Sequence, residues 1–109
     1  MSLKNWTAVC ALDDIVPNSG VCALISGRQV AVFRVSDDRV YALSNHDPFS
    51  NANVLSRGIV GDIKGELVVA SPVYKQHFNL ATGQCIEDEA VKVTSFAARV
   101  SNGMVEVEA

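Results

Sequence analysis

The chain has 109 residues, 49% of them hydrophobic and 19% charged, with a formal net charge of −3, a composition that excludes fibrous and disordered proteins and fits one domain around one core. Its nine basic residues are scattered rather than clustered, so the electrostatic attraction that dominates nucleic-acid binding has no source. No run approaches the ~20 apolar residues that span a bilayer and residues 1–7 lack the apolar stretch of a secretory signal, so a single cytoplasmic domain over 1–109 is expected.

In chain order, Val9 to Leu12 is a short apolar run that stops at Asp13-Asp14, a pair suited to a turn. Val21 to Ile25 and Gln29 to Val35 are β-branched runs separated by Ser26-Gly27-Arg28, the composition of a short hairpin loop. Ser36 to Arg39 makes the next turn and Val40 to Ser44 the next strand. Asn45 to Ser56 has neither period and is rich in Asn, Ser and Pro, which marks a loop long enough to carry function. Ile59 to Ile63, Leu67 to Ala70 and His77 to Leu80 read as further strands, with Lys64-Gly65 and Ala81-Thr82-Gly83 as turns and Ser71 to Gln76 as a second loop. Asp88 to Val93 is the best helical candidate and holds its period for less than about two turns. Asn102-Gly103 between Phe96 to Ser101 and Met104 to Glu108 is a strong hairpin signal, because both residues tolerate positive φ.

About eight to ten short strands that must bury one another predict an all-β sandwich or barrel. Cys10, Cys22 and Cys85 are far apart and odd in number, so they are expected as reduced, buried thiols rather than as a disulfide framework.

The two loops carry the most specific pattern. Tyr41-Ala42-Leu43-Ser44-Asn45-His46-Asp47-Pro48-Phe49 resembles the first loop of a Rieske domain, where a strand leads into a Cys-Pro-His ligand segment. Leu67 to Ser71, followed by Pro72-Val73-Tyr74-Lys75-Gln76-His77-Phe78 and later Thr82-Gly83, resembles the second loop with its Cys-Pro-x-His-Gly segment. All four ligand positions have changed: Asp47 and Ser71 stand for the cysteines, Phe49 and Tyr74 for the histidines. A Rieske cluster needs two thiolates on one iron and two imidazoles on the other, so no iron–sulfur cluster is expected in this chain. The resemblance implies a Rieske-type fold of stacked antiparallel sheets with little helix.

With Gly20-Val21-Cys22-Ala23-Leu24 and Val54-Leu55-Ser56-Arg57-Gly58, the pattern is similar to the small-subunit family of NAD(P)H-dependent nitrite reductases. That resemblance implies a partner, a large subunit carrying FAD, an iron–sulfur cluster and sirohaem, which reduces nitrite to ammonium. The small chain would support it without a catalytic site, cofactor site or metal site of its own. Pro48, Phe49, Pro72 and Tyr74 are the candidate partner-docking loop tip, and a bland reading sits beside it, in which Asp47, Ser71 and Tyr74 replace the cluster with a hydrogen-bonded cross-link over Phe49.

The alternative class is a free-standing Rieske-fold interaction module. A metal site at His46 and Asp47 lacks an evident third ligand, and adjacent residues on an extended segment point to opposite sides. A Ser71, His77 and Asp47 triad can be written on paper, with no nucleophile elbow or oxyanion segment to support it. Glu87-Asp88-Glu89 reads as a solvated turn.

Overall fold

The structure is a computed structural model that describes residues 6–73 and 75–109. Its described residues form eleven strands, two of them only two residues long, and two short 3-10 turns at Leu12–Asp14 and Leu55–Arg57. The strands are β1 (Trp6–Ala11), β2 (Ser19–Ile25), β3 (Arg28–Arg34), β4 (Val40–Ser44), β5 (His46–Asp47) and β6 (Ala52–Asn53), then β7 (Ile59–Ile63), β8 (Glu66–Ala70), β9 (His77–Asn79), β10 (Ser95–Ser101) and β11 (Met104–Glu108).

A six-stranded antiparallel sheet runs in the order β1-β11-β10-β4-β3-β2, and a three-stranded sheet in the order β7-β8-β9, with β5 and β6 paired alone. The large sheet curls until its edges, β1 and β2, flank one cleft lined by Ala8, Cys10, Val21 and Ala23. A register shift between Ala8 and Cys10 adds a bulge in β1, a device that bends a strand. The core is therefore in two parts. Val30, Val32, Val40, Ala42, Val105 and Val107 fill one face of the large sheet with Ile15 and Ile25. Ala31, Phe33, Val35 and Leu43 face the other way, against Leu55, Val69, Phe78 and Leu80 of the small sheet and its loops. Being covered on both faces is why β3 reads as an unbroken apolar run rather than an alternating one.

Three hairpins close in two residues: Ser26-Gly27, Lys64-Gly65 and Asn102-Gly103, each with positive φ at both positions. That is the type I′ geometry whose twist matches the flanking strands. Arg28, which composition placed in the first of these loops, begins β3 instead.

The structure corrects three expectations. β1 begins at Trp6 and ends at Ala11, because pairing with β11 rather than hydrophobicity sets its length. The segment 45–56 is partly ordered, folding back as β5 and β6 before its 3-10 turn. Asp88 to Val93 is not helical: Gln84 Nε2 donates to the carbonyls of Cys85 and Val91, at 3.3 and 2.9 Å, and Gln84 bridges to Lys92, so side-chain and sheet-like bonds replace a helical ladder.

Candidate functional site

The first loop leaves β4 through Asn45, which is buried to 2% exposure. Its side-chain oxygen accepts the Ser56 N–H at 2.7 Å, and its Nδ2 donates to the Asn53 carbonyl at 3.1 Å and to Gln29 Oε1 at 3.2 Å. Its backbone carbonyl accepts the Leu55 N–H at 3.1 Å. One residue thus clamps the end of the loop to its beginning and both to β3. Nothing in the sequence singled it out beyond its place at the loop's start.

Two residues on, Asp47 is fully buried. Its carboxylate accepts three hydrogen bonds: from Ser71 Oγ at 2.5 Å, from the Phe49 N–H at 2.9 Å and from Ser50 Oγ at 2.9 Å. Burial alone pushes this carboxyl up, but the three donors outweigh it and hold the group below the usual carboxylate range. Ser71, also fully buried, closes its own loop as well, its N–H donating to the Gln76 carbonyl at 2.8 Å. The expected cross-link between the loops therefore exists between Asp47 and Ser71. Its third expected member, Tyr74, lies outside the described residues.

Phe49 is half-buried and tilts against Phe78 with 6.2 Å between ring centroids, so it props the tip from within, the position the cross-link reading gives it. Pro48, Pro72 and Val73 are exposed.

His46 turns away from Asp47, its Nδ1 lying 3.2 Å from Asn53 Oδ1. His77 is 2.6 Å from Glu87 Oε2 through Nδ1, and its backbone N–H donates to Glu87 Oε1 at 2.8 Å. Partial burial raises the Glu87 carboxyl, and the two His77 contacts outweigh that and hold it below its ordinary range. Ser71 is bonded to Asp47 directly and His77 is held by Glu87, so the paper triad is not assembled. Among the described residues no group of three or more His, Cys, Asp or Glu side chains could hold a metal.

The acidic turn is solvated as expected, with Glu87, Asp88 and Glu89 all exposed, and Glu87 serves in addition as the latch for His77. The cysteines also divide. Cys85 is buried, Cys10 intermediate and Cys22 exposed, with Cys22 Sγ accepting from Asn45 Nδ2 at 3.5 Å.

Do these residues fit a [2Fe–2S] cluster? A carboxylate and a hydroxyl stand where bridging-cluster irons take soft thiolates, and they are spent on each other. Phe49 offers no ring nitrogen and packs on the core. The donor set does not fit the cluster.

The two-sheet architecture and the paired loops define a Rieske-type domain whose ligand positions have become a polar cross-link. A model of the Rieske-like [2Fe-2S] domain family matches residues 5–108. The nitrite reductase (NADH) small subunit of Salmonella typhimurium is 50% identical over 106 residues, 96% of this chain and 98% of that protein. A crystal structure from Mycobacterium tuberculosis, described as an NADH-dependent nitrite reductase small subunit, superposes with a TM-score of 0.96 at 45% identity, covering 99% of this chain and 97% of that one. A nitrite reductase [NAD(P)H] large subunit from Klebsiella oxytoca holds a 102-residue match at 45% identity, 94% of this chain but 11% of that polypeptide. The chain belongs to the Rieske-like domain family and, within it, to the small subunits of NAD(P)H-dependent nitrite reductase.

Proposed function

We propose that this chain is the small subunit of a cytoplasmic NAD(P)H-dependent nitrite reductase, assembling with a large subunit that carries FAD, an iron–sulfur cluster and sirohaem. The observation that carries the reading is the Asp47–Ser71 bond: it occupies the place of the thiolate pair while keeping the loop tip in shape. Electrons then pass through the large subunit alone, and this chain contributes a rigid docking surface. The Klebsiella oxytoca polypeptide, which contains a like domain within a large subunit, supports the pairing. We propose that the docking surface is the loop tip, with Pro48, Pro72 and Tyr74 meeting the partner, while Phe49 braces the first loop against Phe78.

The test is reconstitution. The chain is expected to co-purify with the large subunit, show no visible iron–sulfur absorption alone, and raise NAD(P)H-dependent nitrite reduction when added back to the isolated large subunit. Failure to associate, with no effect on nitrite reduction when the chain is deleted, would leave a free-standing interaction module as the better account.

A further inference from the structure

Beside the first loop, on the side of β6, lies a second feature that the cluster-like tip does not use. A cleft of about 520 Å³ is lined by Gly27, Arg28, Gln29, Ser44, Asn53, Thr94 and Phe96. No acidic side chain is among them, in a chain whose net charge is −3. Arg34, Arg39 and Arg99 each pair with a carboxylate within the fold, whereas Arg28 has none among the described residues. Its guanidinium carbon lies 6.0 Å from the centroid of the Phe96 ring, the outer limit of a cation–π contact. An exposed guanidinium with hydroxyl and amide groups around it is suited to a carboxylate.

The location of the cleft names the occupant. Phe96 is followed by Ala97, which pairs with Glu108 on β11, and Glu108 pairs with Trp6 on β1. Neighbouring strands are about 4.8 Å apart. Both ends of the domain therefore leave the sheet within two strand spacings of the cleft wall. In the Klebsiella oxytoca polypeptide the like domain is one part of a chain about ninefold longer, as its 11% share implies. A polypeptide joined at either of these strand ends would leave this fold beside the cleft. Asn53 also belongs to the β5–β6 pair of the first loop, which makes the cleft continuous with the loop tip.

We infer that the cleft around Arg28 receives an acidic segment of the nitrite reductase large subunit, extending the docking footprint from the loop tip along β6. The inference rests on the subunit reading above and adds its charge chemistry. The test is titration of the purified large subunit with wild type, Arg28→Glu, Arg28→Ala and Val73→Asp chains, each checked for fold by circular dichroism and melting temperature. Arg28→Glu is expected to weaken association by at least about tenfold, and Arg28→Ala to flatten its dependence on salt. An unchanged Kd and salt slope in both Arg28 variants overturns the cleft; if Val73→Asp alone then loses binding, the loop-tip reading stands without it. A wild-type chain that does not bind overturns the subunit reading and the cleft with it.

Discussion

Ser71 Oγ donates to Asp47 Oδ2 across 24 positions of sequence, 2.5 Å apart, with both residues fully buried. This bond joins the two loops that a Rieske domain joins through its cluster, and its removal has a direct cost. In Ser71→Ala the carboxylate keeps Phe49 and Ser50 but loses its donor from the opposite loop. We expect a loss of roughly 1.5–3 kcal/mol, the range for a hydrogen bond to a charged group. The midpoint of urea unfolding, at unchanged slope, measures it.

The same carboxylate sets an acid limit. Its folded pKa is lowered, so the unfolded state takes up the proton first. The stabilisation is therefore present above the unfolded value, about 3.9, and is lost as pH falls through the lower folded value. Glu87, also lowered, acts with the same sign. Asp47→Asn is expected to flatten the stability profile below about pH 5. An unchanged acid limb in that variant would show that Asp47 is not the controlling group.

Asn45 bonds to three parts of the fold, and its side-chain oxygen accepts while its nitrogen donates. In Asn45→Asp a carboxylate oxygen faces the Asn53 carbonyl and Gln29 Oε1, acceptors against an acceptor. We expect this variant to lose roughly 2–4 kcal/mol, more than any loop-surface substitution. Hydrogen exchange at the Leu55 and Ser56 amides, both donors to Asn45, is expected to accelerate with it.

Two glycines separate backbone strain from crowding. Gly27 and Gly83 share positive φ, +78° and +80°. A Cβ at Gly27 meets nothing within 4 Å, whereas one at Gly83 falls 2.0 Å from the Val93 carbonyl oxygen. Gly27→Ala is expected to cost about 1 kcal/mol, and Gly83→Ala roughly 3 kcal/mol or more, with displacement of the strand bridge at Gln84 and Lys92. Thermal melts of the two variants give the contrast.

The turns and strands were legible because their signals are local: Asn102-Gly103 needs two left-handed residues, and the β3 run Val30 to Phe33 needs apolar cover on both sides. The loop pattern of Asp47, Pro48, Ser71 and Pro72 likewise carried the family and the loss of thiolate and imidazole donors, since ligand chemistry follows from residue type. Pairing partners followed only in part. The Asp47–Ser71 cross-link over Phe49 was expected from the loop pattern, whereas the choice of Glu87 by His77 and of Phe78 by Phe49 depends on how β5 and β9 are set by sheets formed from distant segments. The cleft at Arg28 belongs to this second kind, because its walls come from four separated stretches of chain. Sequence alone determined which chemistry this protein had given up; only the tertiary structure decided which groups filled the space, since a hydrogen bond's direction and a side chain's burial are properties of neighbours that the chain brings together by folding.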